Sequence, residues 1–568
     1  MKRSILLLFT LLFSFVGKSQ DLGLNSFQAP MNIPMYLAGN FGEIRGGHFH
    51  AGIDIKTQQK EGVEIVAAES GFISRINVSL YGYGKAIYIT HPNGYTTVYA
   101  HLRTFGDQIE TYIQNAQYSK KAFTTSVYPK PSELQVNKGD VIALSGNTGG
   151  SGGPHLHFEI RRTKDSTPVN PLLFNLDISD TRKPEIKRVA LYPMNDTTLI
   201  NGKADTLLVN AQYKNGKYIL PQKLQARGVV SFGIEAIDKL NGSNNRCGAY
   251  SIELFVDEQS HYKHEMQAIP FDETRFINAH VDFYQWKKNR KRIQKSFLDP
   301  HNNLSIYQNI QLNGKVFFCD YGHELRYEVK DAYGNTSTIA FDIAVDTASP
   351  STEKPECIHQ WKYDQENVIS DSGITVFIPK NSFYKNECIQ FERDKRSITN
   401  AATPIYHIGS LYTGLHNYMS VTLDVQHLEP ELQSKVYGAS LNEKLKVIAP
   451  EGGKTQNGQV TFKTRSMGPY VGLLDTVLPS IQQINFQGST TSLKQDSLIF
   501  KLKDEHSGIG TYEAYLNETW ALLDFDKKTG LAVLIPNEKR MNLNATELTI
   551  IVRDAVGNER RKSFNLKP

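Results

Sequence analysis

At 568 residues, 40% hydrophobic and 21% charged, the chain is too long for one compact domain and too apolar for a disordered one; size alone predicts three to five domains. Its 28 Tyr and 28 Phe lean toward β structure. A formal net charge of +5 is small for this length and gives no reason to expect a nucleic-acid partner.

The chain opens with MKRSILLLFTLLFSFVGKSQ, in which basic Lys2 and Arg3 precede an apolar run from Ile5 to Val16 and the small residues Gly17 and Ser19. This reads as a secretory signal peptide, residues 1–19, cleaved after Ser19. The run is shorter than the about 20 residues that span a bilayer, and the sequence offers no later candidate span, so no stable membrane span is expected after cleavage. An uncleaved N-terminal anchor is the competing reading. Cleavage removes Lys2, Arg3 and Lys18 and no acid, taking the net charge from +5 to +2. In an exported protein the four cysteines predict either the local pairings Cys247 with Cys319 and Cys357 with Cys388, or four free buried thiols.

From about residue 36 to 175 the sequence is dense in glycine and short β-like runs, among them KAIYITHPNGYTTVYAHL, where HPNGY supplies a hairpin turn. Residues 20–178 are read as one all-β domain. Beyond it a repeat appears: DTRKPEI at 180–186 returns as DTVLPSI at 475–481, and VKDAYGN at 329–335 returns as VRDAVGN at 552–558. Two copies of a β-sandwich are expected, at 179–348 and 475–568. The first carries an insertion near 258–303, because Asp238 and Asp331 lie farther apart than their counterparts Asp504 and Asp554. Residues 349–474 are read as a further β-sandwich without an assigned role. The basic stretch YQWKKNRKRIQKSF is a contact for an anionic polymer or, the favoured reading, a solvated helix face.

Two histidine pairs at alternate positions carry the chemistry: GGHFHAGIDI at 46–55 and SGGPHLHFEI at 151–160. Side chains at i, i+2 and i+4 of a strand share a face. His50 and Asp54 can thus meet one ion, with His155 and His157 reaching the same space from another strand. Two histidines and an aspartate fulfil the donor requirement of a hydrolytic zinc site that leaves a position for water. The helical H-E-x-x-H zinc motif is absent, as are a G-x-S-x-G nucleophile and a phosphate-binding G-x-x-x-x-G-K-[ST]. His48 also lies on the His50 face but fits the H-x-x-x-D spacing less well, and His91 in HPNG is read as a solvated turn residue.

Four ordered segments, HAGID with His50 and Asp54, YAHL with His101, VNKGDVIALSGNTGGSGGPHLHFEI with His155 and His157, and then NPLLF, resemble the lysostaphin-like (LytM-type) zinc endopeptidases of bacterial cell walls. The resemblance covers roughly residues 36–175. It implies one catalytic Zn2+ on His50, Asp54 and His157, with His101 and His155 as the non-ligand catalytic histidines, on an antiparallel lysostaphin-like sheet followed by about three Ig-like β-sandwich domains. One departure stands out: residues 103–135 replace a short connection between YAHL and VNKGD. Placed beside a catalytic histidine, this segment is expected to wall or cover the cleft and narrow substrate access.

The implied function is a secreted zinc-dependent endopeptidase that hydrolyses peptide bonds in peptidoglycan stems or cross-bridges. The protein would be periplasmic or at the outer surface of a Gram-negative bacterium, where the D-alanyl to diaminopimelate cross-link is the expected bond. Two alternatives belong to other classes. One is a non-cleaving wall-binding activator of other hydrolases, which chelator-insensitive function would reveal. The other is an adhesive scaffold in which the β-sandwich domains, binding wall or a protein partner, are the purpose.

Overall fold

The computed structural model describes residues 27–348, 357, 360–486, 491–494 and 497–567; the signal-peptide reading of residues 1–19 lies outside them. The described chain is all-β, a series of strand-built units with a few short helices. Among the described residues no helix is long and apolar enough to cross a membrane.

The N-terminal unit is organised by one antiparallel sheet. Its strands run in the order Leu37–Gly39, Ile53–Lys56, His155–Arg162, Tyr95–Ala100, Lys85–Thr90, Gly71–Val78 and Thr125–Val127. Period-two alternation in HLHFEIRR decides what each face carries. Leu156, Phe158 and Ile160 are fully buried in the main core with Ile53, Ile55, Ile87, Ile89 and Tyr99. His157 and Glu159 face the other way, opposite Ala100 and Val98 of the neighbouring strand. There they continue a smaller apolar patch of Ala86, Tyr88, Val98 and Ala100. The hydrophobic face thus fixes the register, and the register fixes which polar residues share the opposite face.

The 103–135 segment departs from expectation. Helix Asp107–Lys120 buries Ile109 and Ile113 in the main core, and Thr125–Val127 pairs with Gly71–Val78 as the far edge strand of the sheet. Instead of walling the cleft, this segment extends the sheet at the edge away from Ile53–Lys56. The helix also receives the C-terminal repeat: Tyr118 packs edge-on against Trp520 with ring centroids 5.2 Å apart, and Gln114 accepts from Asn537.

In the first repeat the 14-residue strand Leu224–Ile237 joins two layers. Its start pairs in parallel with Thr336–Val345 and its later part antiparallel with Glu185–Pro193. Residues 258–303 supply two strands, short helices and much of an apolar cluster that includes Met266, Phe276, Ile277 and Trp286. The hairpin of Ile44–Arg45 and His48–Phe49 in the N-terminal unit inserts Ile44 and Phe49 into that cluster, so the two units dock, a point the sequence left open. Only the first part of the basic stretch is helical, in Phe283–Asn289, capped by Asp282, with Trp286 buried and Lys288 reaching Tyr284; its later part includes the buried strand Gln294–Lys295. Residues 360–474 build two five-stranded sheets and a small two-stranded one, and residues 480–565 two four-stranded sheets, around apolar cores.

Cys357 and Cys388 form a disulfide, and the Cys247–Cys319 pairing does not form. Cys247 is buried in the core of the N-terminal unit beside Leu240, whereas Cys319 is exposed just beyond strand Lys315–Phe318.

Candidate functional site

Cross-strand pairing of His157 with Asp54 and of His155 with Lys56 brings the two sequence motifs together. His50 arrives from the turn ahead of Ile53–Lys56, held by paired backbone bonds with Gly42 and Glu43. His101 follows the last residue of Tyr95–Ala100 and takes a left-handed backbone with φ 61°. That conformation is uncommon for a side chain of this size and marks a place where surrounding structure dictates the direction of the imidazole.

All five sequence-derived residues therefore share one cleft. His157 Nδ1 lies 2.9 Å from both His50 Nε2 and Asp54 Oδ1, and His50 Nε2 lies 3.1 Å from Asp54 Oδ1. His155 Nε2 is 3.4 Å from the same carboxylate oxygen, and the rings of His101 and His155 are 4.8 Å apart. His50, Asp54 and His157 are deeply buried, and His155 is the most open of the four histidines at the cleft. His48 stays outside, exposed and near Gly46 O. His91 corrects its reading as a solvated residue: it is buried, bonded to Ser70 O and Thr97 Oγ1.

The partners of the histidines determine where lone pairs point. His50 Nδ1 is 2.8 Å from Asn40 O, which only accepts, so the proton sits on Nδ1 and Nε2 keeps its lone pair. His157 Nε2 is 2.8 Å from Glu159 Oε1, which leaves Nδ1 with the lone pair when the ring is neutral. Two imidazole lone pairs and a carboxylate oxygen then converge with no proton among them, an arrangement that a cation stabilises and its absence makes repulsive. Donors around a tetrahedral zinc at about 2.0–2.1 Å stand about 3.4 Å apart, a few tenths of an ångström beyond the spacing here. The donor types and their convergence fit such an ion, and His50, Asp54 and His157 could hold it.

Glu159, Arg161, Arg45, Asn40 and Tyr83 are the residues the sequence reading missed. Burial would raise the Glu159 carboxyl, but Arg161 and His157 outweigh it and hold it down at about 2. Arg161 Nε donates to Glu159 Oε2 at 2.6 Å, and the Tyr83 hydroxyl donates to Oε1. Arg45 Nη2 donates to Asp54 Oδ2 at 2.6 Å, leaving Oδ1 for the cluster. Asp54 is held well below the usual carboxylate range because the histidines around it outweigh its burial. Glu159 was findable: it lies two residues beyond His157 on the same strand face. Arg45 and Tyr83 arrive from other segments and leave no such trace.

His101 and His155 are oriented from the glycine-rich turn that precedes His155–Arg162. His101 Nδ1 donates to Thr148 O at 2.8 Å and His155 Nδ1 to Gly153 O at 2.8 Å, so each keeps a lone pair on Nε2. Burial, reinforced by His157 and His155, pushes His101 down to about 3. Gly149, at φ 70°, shows why this turn lacks side chains: a Cβ there would stand 2.3 Å from Gly84 N.

Residues 48–171 match peptidase family M23, and residues 359–475 match a Zu5-like domain. The chain is 35% identical over 123 residues to the DD-carboxypeptidase/endopeptidase Mpg of Neisseria meningitidis serogroup B, a match covering 22% of each protein. It is 35% identical over 135 residues to the murein hydrolase activator NlpD of Salmonella dublin, covering 24% of this chain and 28% of that one. The matched region thus spans about a fifth to a quarter of these relatives. Among solved structures, a zinc containing peptidase from Vibrio cholerae is 25% identical, with 26% of this chain and 39% of that one covered and a TM-score of 0.19. The catalytic domain of lysostaphin from Staphylococcus simulans is 24% identical, with 25% and 91% covered and a TM-score of 0.19.

Proposed function

We propose, on the premise that residues 48–171 belong to peptidase family M23, that this chain is an exported zinc endopeptidase hydrolysing peptide bonds in peptidoglycan. The observation that carries this reading is the convergence of His50 Nε2, Asp54 Oδ1 and His157 Nδ1 within 3.1 Å of one another, with both imidazole lone pairs turned inward. These three residues are assigned as the metal ligands. Zinc held there would supply Lewis acidity, making water nucleophilic near neutral pH and polarising a peptide carbonyl.

The chain's own residues manage the proton. His155 presents Nε2 at the open side of the cleft, 3.4 Å from Asp54 Oδ1, where a positive charge gained by accepting a proton from water is compensated. The same imidazolium can then return that proton to the leaving amine. His101, kept neutral by burial and its histidine neighbours, offers Nε2 as an acceptor that orients the attacking water. Asn40 and Glu159 fix the rings of His50 and His157, and Arg45 aims Asp54 by binding its Oδ2.

The Neisseria relative's name, a DD-carboxypeptidase/endopeptidase, supports peptide-bond cleavage; the bond proposed here is the D-alanyl to diaminopimelate cross-link, and the compartment is the periplasm or outer surface. The Salmonella relative's name supports a second reading, a non-cleaving activator of other wall hydrolases. The presence here of all five cleft residues favours cleavage. Digestion of purified diaminopimelate-type peptidoglycan, read by mass spectrometry with and without chelator, separates the two. Chelator-sensitive loss of cross-linked dimers, absent in His155→Ala, is expected of the enzyme; intact dimers in every arm are expected of the activator.

A further inference from the structure

The two repeat copies each gather three aspartates. In the first, Asp180, Asp238 and Asp331 are buried and place carboxylate oxygens within 4.8 Å of one another; in the second, Asp475, Asp504 and Asp554 lie as close, with Asp504 only half-buried. One asparagine ties the cluster together in the same way in each copy. Asn335 Nδ2 donates to Asp180 O and Asp331 Oδ2, as Asn558 Nδ2 donates to Asp475 O and Asp554 Oδ2.

The other two carboxylates are held differently. In the second copy Asp475 Oδ2 accepts from both the backbone N–H and the hydroxyl of Ser507. In the first copy Asn241 takes that place; its N–H goes to Asp180 Oδ1, and Asp180 Oδ2 is left with no hydrogen-bond partner. Asp238 Oδ1 is likewise unpartnered. These side chains are only 8% and 2% exposed. A buried carboxylate oxygen without a partner is destabilising unless a cation or donor reaches it. The nearby Arg182 spends its Nη1 on Leu240 O and Ser243 O. Burial above all, with Asp331 and Asp180 adding to it, pushes the Asp238 carboxyl up to about 7.

We propose that Asp180, Asp238 and Asp331 form a calcium site at the junction of the N-terminal unit and the first repeat. The donors are all oxygen, which selects hard cations over zinc. Calcium takes oxygen ligands at about 2.3–2.6 Å in a flexible geometry, whereas magnesium demands near-ideal octahedral geometry and keeps several waters, so a cluster of three protein carboxylates favours calcium. The site ties together three segments. Asp180 ends the connection between the units, Asp331 begins the turn after strand His323–Lys330, and Asp238 opens the loop that leads to Cys247 and Gly248. Leu240 and Cys247 of that loop pack in the core of the N-terminal unit. Gly248 exchanges two hydrogen bonds with Asn40, whose carbonyl orients His50. Calcium would therefore brace the loop that supports the cleft from behind.

Calorimetric titration of CaCl2 into the zinc-loaded full chain in calcium-free buffer tests this, with thermal unfolding measured alongside. About one equivalent should bind with a dissociation constant at or below about 1 mM, raising the unfolding temperature. Asp238→Asn should weaken binding at least tenfold, and Asp331→Asn serves the same purpose if the first variant folds poorly. Asp504→Asn, in the second copy, should leave the titration unchanged. Absence of calcium-dependent heat and of any thermal shift up to about 10 mM overturns the proposal, and the wild-type titration reads this without any variant. So does retention of wild-type affinity in Asp238→Asn and Asp331→Asn, loss of binding in Asp504→Asn alone, or equal affinity for magnesium.

Discussion

His157 Nε2 stands 2.8 Å from Glu159 Oε1, a residue two positions along the same strand with no exposed surface. The pair settles which nitrogen of His157 faces Asp54 and His50. A histidine that ligates through Nδ1 needs its other nitrogen occupied, and a carboxylate further raises its basicity.

Replacing Glu159 with Gln should therefore act at a distance of one residue from the metal. The amide keeps the shape but removes the charge, and zinc affinity should fall about 10–100-fold. Competition with a chromophoric chelator measures it. Unchanged affinity in a folded Glu159→Gln protein would separate Glu159 from the metal site.

His101 and His155 lie outside the assigned ligand set, so alanine at either should leave zinc content intact. Peptidoglycan cleavage should fall by about 10²–10⁴-fold, the usual range for a lost proton-transfer group. Paired measurement of zinc by elemental analysis and of muropeptide release gives both numbers for each variant. Loss of zinc along with activity in His101→Ala would contradict the division of roles.

Without metal, the cluster must hold a proton in its place. Burial opposes charge on His157, but Asp54 and Glu159 outweigh it and raise its pKa to about 9, against about 6.5 in an unfolded chain. A raised folded pKa contributes stability that is fully present below about pH 6.5 and is lost as pH climbs through about 9. The metal-free protein should lose up to about 3 kcal/mol across that window, seen as a falling unfolding temperature, while zinc-loaded protein should lose less. Parallel losses in both forms would show that metal and proton do not compete for one place.

The C-terminal repeat sits against the N-terminal unit. Lys85 Nζ pairs with Asp524 Oδ2 at 2.7 Å, Trp520 packs on Tyr118, and Lys528 Nζ donates to Ser151 O of the glycine-rich turn at 3.0 Å. Trp520→Ala should loosen this docking, because buried aromatics dominate such contacts. Limited proteolysis should then release residues after about 475 faster than in the wild type. An unchanged cleavage rate would mean that the aromatic contact contributes little.

Much of the cleft was readable before any coordinates. HLHFEIRR announces its own faces, since apolar Leu156, Phe158 and Ile160 can only turn inward, and HAGID carries its partner residues at matching spacing. The acidic repeat was equally visible in DTRKPEI and VKDAYGN. Three things were not. The 103–135 segment looked like a cleft wall because it is adjacent in sequence to His101, but Ile109 and Ile113 draw its helix to the far end of the core. Cys247 and Cys319 looked like a local pair, yet Cys247 belongs to the core of another unit, a long-range packing fact that spacing cannot encode. Arg45 and Tyr83 reach Asp54 and Glu159 through tertiary folding alone.

The central claim is that His50, Asp54 and His157 turn their lone pairs on one zinc ion. Zinc content of the purified full chain, measured by elemental analysis beside a His157→Ala variant whose circular dichroism shows it folded, tests that claim most directly. The account predicts about one equivalent in the wild type and about none in the variant. Equal zinc in both proteins would contradict it.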